Sequence, residues 1–173
     1  MAKPSVIMIS NFLPSIKHNR NIWHALAQRL SDEGWHIITT SSKEMRLLRL
    51  LDMLWTVYHQ GERYDLAEID VFSGKAFIFA ELCAYVLKQL NKPIILNLHG
   101  GGLPTFAQKY PKRVRHLLKM ATVVVSPSHF QQKEFKVVRP DIRIIPNPIN
   151  LSASIYRHRT TASPNLIWVR AFH

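Results

Sequence analysis

Short β-rich apolar runs alternate with stretches of helical periodicity along most of the chain, and this alternation constrains the fold more than any other feature. Ser5–Ser10 is nearly all apolar, as expected of a strand covered on both faces. Ile22, Ala25, Leu26 and Leu30 recur at helical spacing, Gly34 suits the end of that helix, and Trp35–Thr40 reads as a second strand. The pattern continues through a helix at Glu44–Gln60, a strand at Leu66–Phe72 interrupted by Glu68 and Asp70, and a helix at Lys75–Leu90 closed by Asn91-Lys92-Pro93. It goes on through a strand at Ile94–Leu98, a helix at Pro111–Ala121, a strand at Thr122–Val125, a helix from Ser128 to about Val137 and a strand at Ile142–Ile145. Strand–helix–strand units of this size form parallel pairs with right-handed crossovers. The expected fold class is therefore α/β, a doubly wound and mainly parallel sheet with helices on both faces.

Beyond Ile145 the pattern changes. The prolines of Pro146-Asn147-Pro148 remove ladder donors. Leu151 to Asn165 is polar and irregular, and Leu166-Ile167-Trp168-Val169-Arg170 is strand-like again. The expected organisation is one domain over residues 1–150, a linker over 151–165, and the first strand of a further domain over 166–173. A chain of 173 residues, 47% of them hydrophobic, can bury a sizeable core without staples. Its single cysteine, Cys83, lies mid-helix among Leu82, Ala84 and Tyr85 and reads as a small buried hydrophobe; no disulfide framework or Cys-rich zinc module is possible.

A formal charge of +12 favours polyanionic partners. No apolar run reaches the ~18 residues of a spanning helix, and the N-terminus lacks a signal-peptide pattern. The expected location is the cytoplasm, with attachment to the inner face of the membrane open. On the Pro111–Ala121 helix Lys112, Arg113, His116 and Lys119 spread over one side, opposite Val114, Leu117, Leu118 and Ala121. Such a basic amphipathic helix reads first as a solvated face over a core, and it also suits an anionic membrane surface. The Glu44–Gln60 helix adds Lys43, Arg46 and Arg49 beside an excess of leucine and Trp55.

In doubly wound sheets ligands bind beyond the carboxyl ends of the strands. The loop after the first strand has no glycine, which excludes a dinucleotide fingerprint, and there is no Gly-Lys-Ser/Thr phosphate loop. Ser73-Gly74-Lys75, after the third strand, reads as polar lining or a helix cap. The foremost site candidate follows the fourth strand: His99, then Gly100, Gly101 and Gly102. Glycines let a ligand touch backbone, and an imidazole can donate, accept or change charge near neutral pH. A tight connection with a structural histidine is the other reading. No two of the nine histidines lie three or four apart, so no helix presents a metal-binding pair. The acidic residues are few and scattered, with no carboxylate pair evident.

Several segments, in order, resemble the N-terminal half of family 4 glycosyltransferases. They are the opening strand Val6–Ser10, the turn Leu30-Ser31-Asp32-Glu33-Gly34-Trp35-His36-Ile37, the strand end Leu96-Asn97-Leu98-His99-Gly100, the segment Val124-Val125-Ser126-Pro127-Ser128 and the exit Ile144-Ile145-Pro146-Asn147-Pro148-Ile149-Asn150. Pro148 departs from the glycine usual in that family, as does the glycine-free stretch Leu13 to Asn19. The resemblance implies one half of the GT-B architecture, a Rossmann-like domain on the acceptor side of a retaining transferase that uses a nucleoside diphosphate sugar as co-substrate and no other cofactor. It implies that His99 lines the reaction cleft, that Gly100, Gly101 and Gly102 let a sugar or glycolipid acceptor approach, and that Lys17 and His18 face it. Arg170 matches the basic residue that contacts the donor diphosphate; the rest of the donor site would lie beyond His173, on a separate C-terminal domain. The chain would then be a truncated product, an excised piece or half of a split enzyme, inactive alone. Two other classes stay open: a non-catalytic module that binds an acceptor or a membrane surface, and, from charge alone, a nucleic-acid binder, although no helix-turn-helix, zinc finger or ribonucleoprotein motif is present.

Overall fold

The computed structural model describes residues 3–12 and 22–147, together with 158 and 161. Twelve elements follow one another as the alternation requires: β1 (Val6–Ile9), α1 (Ile22–Asp32), β2 (Ile37–Thr40), α2 (Arg46–His59), β3 (Leu66–Val71), α3 (Phe77–Gln89), β4 (Ile94–Leu98), α4 (Leu103–Lys109), α5 (Pro111–Met120), β5 (Val123–Ser126), α6 (His129–Phe135) and β6 (Arg143–Ile144). Short 3-10 turns at Gly61–Arg63 and Gly74–Ala76 precede β3 and α3. Lys17, His18, Arg170, the linker at 151–165 and the strand expected at 166–173 lie outside the described residues, apart from 158 and 161.

The six strands form one parallel sheet in the order β2-β1-β3-β4-β5-β6. The chain steps outward from β1 to β2, then crosses back over β1 to β3 and continues in the other direction. Right-handed crossovers put α1 on one face and the later helices on the other. The packing agrees. Val6 and Met8 meet Trp23 and Ala27 of α1 on the first face. Ile7, Ile9, Ile69, Leu96 and Val124 meet Met53, Val57, Phe77, Leu87, Leu117 and Phe135 on the second. Burying each large side chain of that second layer contributes about 2–3 kcal/mol before entropy is counted. Cys83 belongs to the same layer and is fully buried.

Local chemistry explains the element ends. Gly34, at φ +84°, takes the left-handed conformation that stops α1. Pro111 opens α5, where its missing N–H costs nothing. The Ser128 hydroxyl accepts the Phe130 N–H and caps α6. One element departs from expectation. The sequence pattern places no helix between the strand Ile94–Leu98 and Pro111, yet α4 begins at Leu103. Proline fits a first helical turn, and Leu103 is completely buried, so packing of that leucine holds a turn that propensity alone would not form.

Candidate functional site

The carboxyl ends of β1, β3 and β4 lie side by side, and each delivers polar side chains to one edge of the sheet. His99 follows β4; its backbone N–H donates to Val71 O at 2.9 Å, so the ladder with β3 runs to the rim. The imidazole is held on three sides. Trp23 of α1 meets it edge-on with ring centres 4.8 Å apart, Phe72 stacks at 5.6 Å, and Asp70 Oδ1 lies 3.0 Å from Nε2. The residue is only 8% exposed. Burial lowers its pKa, with the nearby Glu68 pulling the other way, so the ring is neutral at pH 7.

Under His99 lies a feature that the scattered look of the acidic residues hid. Glu68 and Asp70 are two apart on β3 and share its α1-side face. Their oxygens are shielded from solvent, and two anions side by side there would repel each other with few donors to hold them. Burial pushes Glu68 well above the usual carboxylate range, helped by the charge of Asp70 and opposed by the Asn97 amide. Burial also pushes Asp70 up to about 7, opposed by the Ser10 hydroxyl and by Glu68. A proton on Glu68 relieves the pair, Glu68 donating to Asp70, while His99 Nε2 stands 3.0 Å from Asp70 Oδ1 outside hydrogen-bonding geometry. No group of three or more His, Cys, Asp or Glu side chains among the described residues is disposed to hold a metal ion.

The glycine run beyond His99 is open. A side chain at Gly100 or Gly101 would meet nothing within 4 Å, whereas a Cβ at Gly102 would lie 3.0 Å from the Ser73 hydroxyl. Gly100 sits at φ +78°. Its carbonyl accepts from Gln131 Nε2 at 2.7 Å, and Gln131 Oε1 in turn accepts from the Ser126 hydroxyl at 2.9 Å. Gln131 and Ser126 are both buried and tie the rim loop to α6 and β5. Nothing in the local sequence singled them out; the only signal was a polar residue on the inner side of a short amphipathic helix.

The structure thus brings His99, Gly100, Gly101 and Gly102 together at the sheet edge. The basic residues of α5 are elsewhere, on the outer surface of the second helical layer. Lys112, His116 and Lys119 are exposed there. Arg113, expected with them, instead turns toward α3. It grips both carboxylate oxygens of Glu81 and lies over the rings of Phe77, Phe106 and Tyr110. Arg49 also differs from its helical neighbours. It is buried, donating to Lys43 O, Glu44 O and Asn11 Oδ1, while Leu47, Leu51, Trp55 and Tyr58 of α2 face outward.

Residues 42–153, well over half of the chain, match the sequence model of Glycosyltransferase Family 4. The chain belongs to that family. Membership gives this family 4 domain a glycosyltransferase-type function with sugar donor and acceptor substrates. No curated protein matches the family 4 chain. Among solved structures it is similar to the signal receiver domain of a modulated diguanylate cyclase from Desulfovibrio desulfuricans G20, described as an example of alternate folding, at 15% identity and a TM-score of 0.47 over 79% of this chain and 93% of that one. No helix among the described residues is long and apolar enough to cross a membrane.

Proposed function

We propose that this chain is the acceptor-binding half of a retaining glycosyltransferase of GT-B architecture that takes its glycosyl group from a nucleoside diphosphate sugar. The observation that carries the reading is His99: a neutral imidazole, locked by Asp70, Trp23 and Phe72, beside an open glycine rim at the carboxyl edge of the sheet. A fixed imidazole at that place suits a sugar hydroxyl, and fixed partners lower a barrier because they need no reorganisation during transfer. Gly100 and Gly101 give the acceptor room, and Lys17 and His18 are the further residues this reading assigns to acceptor binding. The donor is held by a second domain, to which residues 166–173, including Arg170 at the diphosphate, contribute the first strand. Transfer requires both substrates in one closed cleft. The test is a transfer assay on residues 1–173 alone and after fusion to a family 4 donor domain. Turnover only in the fusion, with His99→Ala lowering kcat more than it raises the donor KM, is the expected result. Turnover by the chain alone, or a fully active His99→Ala fusion, contradicts this division of roles.

A second reading concerns location. The outward apolar face of α2 and the exposed stripe Ile78, Leu82 and Tyr85 of α3 share a layer with the basic face of α5. Apolar surface beside exposed lysines suits the headgroup region of an anionic bilayer, on the cytoplasmic side. Co-sedimentation with anionic vesicles that falls in salt, and falls again in Leu51→Ser with Trp55→Ser, is expected. Equal binding to neutral vesicles contradicts it.

A further inference from the structure

The strand order reverses between β1 and β3, and open α/β sheets bind ligands in the crevice outside such a switch point. At that crevice lies a cavity of about 390 Å³ walled by Asn11 after β1, Arg46 and Arg49 of α2, and Ser73 and Lys75 after β3, over an apolar floor of Ala76 and Phe79. Its size falls within the ~300–1,000 Å³ of small-molecule sites. Three cations face it and no carboxylate does.

One of the three cations, Arg49, is fixed within the fold, while Arg46 and Lys75 are exposed at the cavity mouth. Arg49 is 8% exposed, and its three hydrogen bonds to Lys43 O, Glu44 O and Asn11 Oδ1 fix the guanidinium plane. They use three of its five N–H groups, leaving two without a protein acceptor among the described residues. A buried cation with no carboxylate partner is costly to keep and lowers its energy when an anion enters. Arg46 opens α2, whose N-cap residue Met45 supplies no side-chain cap, so the positive end of a 14-residue helix adds to the field. The Ser73 hydroxyl joins this cavity to the His99 rim, because the same side chain stands against Gly102.

We propose that this cavity is a phosphate site: it holds a phosphate group carried by the acceptor, through Arg46, Arg49 and Lys75 with Ser73, and so sets the acceptor class as a phosphorylated sugar or a phosphate-bearing lipid. The fixed Arg49 fork matches phosphate oxygens pairwise, and Arg46 and Lys75 add positive charge. The placement rests on the acceptor-side reading given above, with the phosphate beside Ser73 and the acceptor's reacting hydroxyl toward His99.

The experiment is an NMR titration of the full chain with glucose 6-phosphate and, separately, glucose. Saturable shifts at Ser73, Lys75 and Arg49 Nε–H are expected with the phosphosugar and none with glucose. Arg46→Gln with Lys75→Gln raises Kd at least tenfold, whereas Arg46→Lys with Lys75→Arg keeps it within about threefold. Unchanged affinity in the double Gln variant, or saturable shifts confined to other residues, overturns the site. Vesicles of phosphatidylcholine with and without phosphatidic acid separate the two sources. Competition by phosphatidic acid, lost in the double Gln variant, supports a lipid-borne phosphate; phosphosugar binding without such competition supports a soluble one. Phosphosugar binding needs no turnover, so it separates the two readings. An active fusion that binds glucose as well as glucose 6-phosphate overturns the phosphate site alone, and phosphosugar binding with no transfer by any fusion overturns the transferase reading alone.

Discussion

Glu68→Gln tests the buried carboxyl pair by its effect on the pH dependence of stability. In the unfolded chain Glu and Asp ionise near ~4.3 and ~3.9. In the fold, burial holds Glu68 well above that range and Asp70 up to about 7. The folded state therefore binds more protons than the unfolded state above pH 4, and stability falls as pH rises, by about 1.4 kcal/mol per pH unit for each proton retained. His99 works in the opposite sense. Its pKa is lowered in the fold, so below ~6.5 the unfolded chain binds the extra proton and stability rises with pH. Total stability versus pH mixes these trends, but the gap between wild type and Glu68→Gln isolates the carboxyl. Glutamine has the same shape, supplies the N–H that Asp70 accepts, and carries no proton to retain. Above pH 5 the variant gains on the wild type, by about 1.4 kcal/mol for each pH unit over which Glu68 keeps its proton in the fold. Domain stabilities are only ~5–15 kcal/mol and urea slopes ~1–3 kcal/mol/M, so each such pH unit moves the relative midpoint by about 0.5–1.4 M. Urea titrations followed by circular dichroism at pH 5, 6 and 7 measure it. A gap that stays constant over this range means that Glu68 ionises in the fold as it does in the unfolded chain, and the shared-proton arrangement under His99 is then wrong.

Three further outcomes follow from the geometry. Gly100→Ala forces an L-residue to φ +78° although its Cβ meets no atom, so thermal melting should show a loss of about 1 kcal/mol from backbone strain alone, larger than for Gly101→Ala, where φ is not positive; equal losses would refute the strain argument. Arg113→Ala should cost about 1 kcal/mol of stability, through lost packing over three rings more than through the half-exposed pair with Glu81, and should leave vesicle binding within twofold. Lys112→Glu with Lys119→Glu should instead weaken vesicle binding at least tenfold, and the reverse pattern would put Arg113 back at the lipid surface.

The strands, their parallel pairing and five of the six described helices could be read from the sequence, because hydrophobic periodicity and capping residues are local signals. β4 could be read residue for residue, since Ile94–Leu98 is bounded by Pro93 and by the glycine run. The same locality placed His99 at a strand end, where doubly wound sheets bind ligands. α4 could not be read, because its stability comes from burial of Leu103 and not from its own propensity. Nor could the chemistry around His99. Glu68 and Asp70 looked like interruptions of an apolar strand. They become a proton-holding pair only because the strand order seats β3 between β1 and β4 and α1 closes over that face. Arg49 and Arg113 make the same point for cations. On a helical wheel each joins its basic neighbours, but one is drawn inward by Asn11 and two carbonyls and the other sideways by Glu81. The sequence encodes which residues are polar and how they repeat along the chain. Their charge state and partners depend on distances across the fold, because desolvation and hydrogen bonding act through space between residues remote in sequence.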